Sequence, residues 1–97
     1  MGTIEVQFRK LRGEIIAVFP YVIENKTNVL SYQHIGQHSE CIWNINSVSK
    51  AAKPEEYRDL LCELEALYLP EVSFKVIKKR NHKRYLEQYY KWLRGVI

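Results

Sequence analysis

Two histidines four residues apart, His34 and His38, stand in the chemically densest stretch of this 97-residue chain, Ser31-Tyr32-Gln33-His34-Ile35-Gly36-Gln37-His38-Ser39-Glu40-Cys41. Imidazole titrates near neutrality and can give or take a proton in a transition state. One ring on each side of a scissile phosphate, with Tyr32 or a Lys or Arg facing the developing charge, would cleave RNA without a metal. Gly36 would have to fold the chain sharply for this, because an extended strand advances about 3.3 Å per residue and holds the rings apart. The same stretch offers His34, His38 and Cys41 as metal ligands, with Cys62 or Glu40 as a fourth. That spacing matches no common zinc pattern, and neither a metal nor a cofactor is expected. Two histidines in a strand-loop region are more often hydrogen-bonded structure, so His34 and His38 stand only as the weak candidates for catalysis.

Other catalytic arrangements fare worse. Asp59 is the single aspartate, so an Asp-oriented triad would depend on it or on a glutamate. Gly-x-Ser-x-Gly, P-loop and dinucleotide-binding glycine patterns are all missing. Nothing near Cys41 in the sequence activates it as a nucleophile, and both cysteines read as small apolar groups. The chain is therefore expected to be no enzyme.

A second constellation lies at the C-terminal end. Residues 72–97 carry Lys75, Lys78, Lys79, Arg80, Lys83, Arg84, Lys91 and Arg94 against Glu87 alone, a balance of +7. Residues 1–71 balance to −3, and the whole chain to +4. Clustered Lys and Arg attract a polyanion and release its counterions. Lys78, Lys79, Arg80, Lys83, Arg84, Lys91 and Arg94 are accordingly the candidate nucleic-acid-binding residues, with Lys79, Arg80, Lys83 and Arg84 foremost. Exposed Tyr90 or Trp92 would add base stacking. No nucleic-acid motif is present, so no base readout follows. The competing reading is internal neutralisation by Glu55, Glu56, Glu63 or Glu65 of the preceding helix.

These groups must be positioned by a small number of elements. Ile4, Val6 and Phe8 alternate with Glu5, Gln7 and Arg9, which predicts a strand over about 3–10 with one buried and one wet face. Arg12-Gly13 supplies a turn, and the apolar run 14–19 reads as a central strand buried on both faces, ended by Pro20. A polar turn at 24–28 leads to a third strand over 29–35. Residues 36–53 read as mostly loop, with a short strand at 41–45.

Pro54, two first-turn glutamates and Tyr57, Leu60, Leu61, Leu64 and Leu67 at helical spacing predict a helix over 54–68. Val72, Phe74 and Val76 predict a fourth strand. A last helix over 81–94 has Asn81 as N-cap and Gly95 as terminator. On it Tyr85, Leu86, Tyr89, Tyr90, Trp92 and Leu93 share one arc, and the charged residues the other. The expectation is one α+β domain over 1–97, an antiparallel sheet of about four strands in the order β-β-β-α-β-α, with both helices packed on one face.

A chain with 46% hydrophobic residues and twelve aromatics can build one modest core. No apolar run approaches the roughly 20 residues of a membrane span, and residues 1–5 lack a basic then apolar leader. A cytoplasmic setting with reduced cysteines and no membrane partner is expected.

Phe8-Arg9-Lys10, Gly13 to Pro20, Ser31 to His38, Glu55 to Leu61, Val76 to Asn81 and Tyr85 to Tyr90 resemble a family of small uncharacterised proteins. These are similar to short open reading frames of bacterial phages and conjugative elements. The resemblance covers nearly the whole chain and implies a bacterial cytoplasmic setting, with no activity, ligand or site residue to carry over. The function expected from residues and resemblance together is a non-enzymatic accessory or interaction protein binding nucleic acid or another polyanion non-specifically. The alternatives are a homodimeric or partner-binding interaction module, and a metal-independent ribonuclease.

Overall fold

A computed structural model describes residues 2–33 and 37–96, without the side chains of Gln37, His38 and Val96. Strands β1 (Gly2–Leu11) and β2 (Glu14–Ile23) form a hairpin whose two-residue turn, Arg12 and Gly13, has φ of 53° and 83°. Positive φ at both positions matches the twist of the flanking strands, and Gly13 adopts it without a Cβ clash. β3 (Asn28–Gln33) pairs with β2, and β4 (Gln37–Ile42) pairs with β3 along its whole length, from Gln33↔Gln37 to Asn28↔Ile42. The sequence reading of 36–53 as mostly loop is corrected here: the strand lies at Gln37–Ile42 and not at 41–45. A polar segment becomes a strand because β3 offers it a ladder.

A short 3-10 turn (Ile45–Ser47) and the two-residue β5 (Lys50–Ala51) follow, then α1 (Pro54–Tyr68), β6 (Val72–Val76) and α2 (His82–Val96). α1 begins where Pro54 and the acidic first turn place it, and Glu56 Oε1 accepts the Lys53 N–H at 2.9 Å. On α2, Asn81 Oδ1 accepts the Arg84 N–H at 3.1 Å, as an N-cap does. Gly95 does not terminate this helix, which runs on to Val96. The sheet order is β4-β3-β2-β1, and the outer edge of β1 is shared by β6 along Gly2–Val6 and β5 at Arg9–Lys10. Among the described residues all pairings are antiparallel except β1 with β6.

The helices lie on opposite faces of this sheet, which corrects the expectation of one covered face. Leu60 and Leu64 of α1 pack with Val6, Phe8, Ala17, Phe19 and Tyr32. Tyr85, Leu86 and Tyr89 of α2 pack with Ile16, Val18, Val29 and Ile45. Successive β2 residues point to alternate sides. Its unbroken apolar run therefore feeds both cores, as a strand buried on both faces requires.

The predicted wet face of β1 is also covered. Gln7 is only 2% exposed and donates from Nε2 to the Lys78 carbonyl at 2.9 Å. Arg9, 9% exposed, donates to Ser49 Oγ at 2.9 Å and to the Ser49 carbonyl at 2.6 Å. Burying these groups is tolerable because each finds a hydrogen-bond partner. Burial also lowers the pKa of Arg9.

Candidate nucleic-acid interface

α2 divides its residues between a packed side and a solvent side. Tyr85, 5% exposed, lies 5.5 Å from Trp43 and 6.2 Å from Tyr89, which in turn is 6.1 Å from Trp92. This row of rings binds the helix to the sheet and to the chain after β4. Lys83, Glu87, Lys91 and Arg94 are exposed. Tyr90, placed by the sequence pattern on the apolar arc, is 52% exposed and stands among these charges. Trp92 and Leu93 are half-buried.

The junction between β6 and α2 is pinned at several points. The Ile77 N–H donates to the Val6 carbonyl at 2.9 Å, and Gln7 holds the Lys78 carbonyl. The Asn81 N–H donates to the Tyr21 hydroxyl at 2.8 Å. Arg80 donates from Nη1 to the Trp43 carbonyl, with its guanidinium 4.8 Å from the Trp43 ring centre and 4.9 Å from that of Tyr85. Burial pulls the Arg80 pKa below its ordinary value, against a smaller raising effect of Tyr85 and Tyr21. Burial likewise raises the pKa of Tyr85. Lys78 and Lys79 thus project, exposed, from a backbone held by its neighbours.

Arg84 also works inside the fold. Its Nη1 lies 2.6 Å from Glu5 Oε1, and the guanidinium sits 4.5 Å from the Tyr21 ring centre, although its side chain is 49% exposed. Of the four foremost candidates, two are therefore engaged internally, Arg80 and Arg84. Lys79 and Lys83 are exposed, as are Lys75, Lys78, Lys91 and Arg94, and none of these six has an ion-pair partner among the described residues.

Internal neutralisation by α1 does not occur through the ion pairs described. Glu56 pairs with Lys10 of β1 at 2.6 Å, and Lys10 with the Lys53 N–H holds its carboxyl below the usual range. Glu5, the partner of Arg84, belongs to β1. Neither pair joins α1 to α2, whose opposite placement keeps acidic and basic helices on different sides of the sheet.

His34 lies outside the described residues, as does the side chain of His38. Cys41 packs on the α2 side, and burial pushes its thiol up to about 11, against a smaller opposing hydrogen bond with Ser31. Cys62 is exposed on α1, across the sheet, so the two cysteines share neither a disulfide nor a metal. Glu40 instead accepts Asn25 Nδ2 at 3.0 Å and Asn28 Nδ2 at 2.9 Å. Among the described residues no three His, Cys, Asp or Glu side chains converge on a metal site.

The chain matches no protein-family model, no curated protein and no solved structure. Geometry alone therefore ranks its residues. Sequence reasoning passed over Tyr21, Trp43 and His82, whose ring lies 6.0 Å from those of both Trp43 and Tyr85, tilted against the first and stacked on the second. The contacts of Tyr21 with Asn81 and Arg84, and of Trp43 with His82 and Tyr85, join residues far apart in the chain, which no local pattern indicates. No helix among the described residues is long and apolar enough to cross a membrane.

Proposed function

We propose that this protein is a non-enzymatic nucleic-acid-binding accessory protein that contacts phosphates through the solvent side of α2 and the junction before it. The observation that carries the reading is the separation of charge. Lys78, Lys79, Lys83, Lys91 and Arg94 are exposed with no carboxylate partner among the described residues, while the acidic helix occupies the other face. Cations left unneutralised by their own fold supply the attraction and counterion release that drive phosphate binding. Tyr90, exposed between Glu87 and Arg94, offers a face on which an unpaired base can stack. Arg80 and Arg84 brace this surface and are not among its contacts. The resemblance to phage and conjugative-element reading frames points the same way, toward a bacterial cytoplasm rich in such ligands.

The test is fluorescence anisotropy with mixed-sequence single- and double-stranded DNA and RNA across a salt series. Affinity should fall with salt with a logarithmic slope of about −0.9 per neutralised phosphate on duplex DNA. Replacing Lys78, Lys79, Lys83 and Lys91 together with Ala should flatten that slope by about one for each phosphate no longer neutralised, for every sequence alike. Unfolding stability should stay within about 0.5 kcal/mol per site, because these side chains are solvated. No binding at low salt to any of the four ligands, or an unchanged slope in the variant, overturns the proposal.

A further inference from the structure

β1 and β2 diverge part-way along the sheet. Their ladder runs from Leu11↔Glu14 to Gln7↔Val18, beyond which the N-terminal half of β1 pairs with β6 while β2 follows β3. Pro20, fully buried, has no N–H to contribute to a ladder. The β2–β3 register jumps from Phe19↔Leu30 to Ile23↔Val29, so Pro20, Tyr21 and Val22 bulge out of the pairing. Tyr21 is thereby delivered to the α2 side, where it meets Asn81, and Val22 to the α1 side, where it joins the other core.

Beside this divergence, on the α1 side, lies a half-open cavity of about 140 Å³. The rings of Phe19, Tyr68 and Phe74 wall one part of it, and Ile4, Val22, Leu30 and Val72 complete it. Phe74 sits 6.0 Å from Tyr68 at 71° and 6.2 Å from Phe19, so three rings meet at angles around one space. The wall is wholly apolar. Ile4 and Val22 also border a second depression, where Thr3, Glu5, Arg84 and Gln88 supply polar groups. Hydrogen-bonding partners therefore exist next to the cavity and not inside it.

We propose that the apolar cavity is a binding site for a neutral small molecule carrying one aromatic ring. Its volume sets the size, since an apolar protein cavity of about 150 Å³ accepts benzene. The wall sets the chemistry: water against it finds no hydrogen-bond partner on the protein and is favourably displaced, whereas a charged group would lose part of its hydration without compensation. The three rings favour an aromatic guest, because tilted and edge-to-face contacts at about 4.5–7 Å add to simple burial. This site touches none of the exposed lysines, so it stands or falls separately from nucleic-acid binding.

Benzene and toluene, with glycerol as polar control, should be titrated into methyl-labelled protein and followed by two-dimensional NMR. The expected result is saturable shifts centred on the methyl groups of Ile4, Val22, Leu30 and Val72 with both aromatic probes and none with glycerol. Val22→Phe, which fills the space from its own wall, should abolish the shifts of the remaining three residues while the spectrum stays dispersed. Should Val22→Phe fail to fold, Val72→Leu adds a single methylene and should weaken toluene several-fold, as burial of about one such group predicts. No saturable shift with either aromatic probe, shifts centred elsewhere, or undiminished toluene affinity in the folded filled variant overturns the assignment.

Discussion

Replacing Arg80 with Lys keeps the positive charge and removes the planar fork that grips Trp43 and Tyr85. A hydrogen bond from a charged donor contributes about 1.5–3 kcal/mol, and each ring contact of a partly exposed cation about 0.5–1 kcal/mol. Lys can still reach one acceptor, which offsets part of the loss, but its more strongly hydrated ammonium gains no relief from the burial that lowers the Arg80 pKa. Since the side chain is half-buried, solvent screening also trims the ring contacts. The net expectation is a loss of about 2 kcal/mol, which in a domain of this size lowers the melting temperature by about 8–16 °C. Urea unfolding followed by tryptophan fluorescence reads it directly, because Trp43 lies beneath the guanidinium. DNA affinity at matched folded fraction should be unchanged, with the same salt slope. An unfolding midpoint equal to wild type, or a slope reduced by one phosphate with stability intact, would show that Arg80 contacts ligand and not the fold.

Tyr90→Ala should cost no more than about 0.5–1.5 kcal/mol of stability, because the residue is 52% exposed and its ring meets only Tyr89 edge-on at 5.7 Å among the ring contacts described, yet weaken single-stranded DNA binding by about 1–3 kcal/mol and duplex binding much less; equal losses on both would deny it a stacking role. Cys41, with its thiol raised to about 11, should alkylate slowly at pH 8 and speed up toward pH 11, while exposed Cys62 reacts readily at pH 8. Peptide mass spectrometry after brief iodoacetamide treatment separates the two, and equal labelling at pH 8 contradicts the burial of Cys41. The lowered pKa of Glu56 means that its pair with Lys10 stabilises the fold above the unfolded carboxylate pKa of about 4.3 and ceases to do so as pH falls through the folded value. Glu56→Gln should thus melt earlier than wild type at pH 7 and together with it at strongly acidic pH; a pH-independent gap would assign the effect to packing.

Elements built from neighbouring residues were legible. α1 occupies Pro54–Tyr68 as the Pro, the acidic first turn and the leucine spacing indicate, and Asn81 caps α2. The Arg12-Gly13 turn is equally local. β4 was not legible, because Gln37–Ile42 has polar composition and owes its extension to hydrogen bonds with β3. Gln7 and Arg9 looked solvated for a similar reason: Lys78 and Ser49, which satisfy them, stand 71 and 40 residues away.

By itself the sequence determined the α+β class, the helices, the crowding of positive charge into the last 26 residues and the two-sided burial of β2, since all of these depend on residue type and short-range period. The two-sided burial of β2 even required a layer on each face, a consequence at odds with the expectation of a single covered face. Only the tertiary structure decided which helix took which face, and with that which charges met. Arg80 and Arg84 carry the same formal charge as Lys79 and Lys83, yet the first two lie over rings and acceptors brought from β1, β2 and the chain after β4, while the other two face solvent. A charge becomes a brace or a binding group according to the partners that long-range packing sets within a few ångströms of it, and a one-dimensional pattern does not contain those distances.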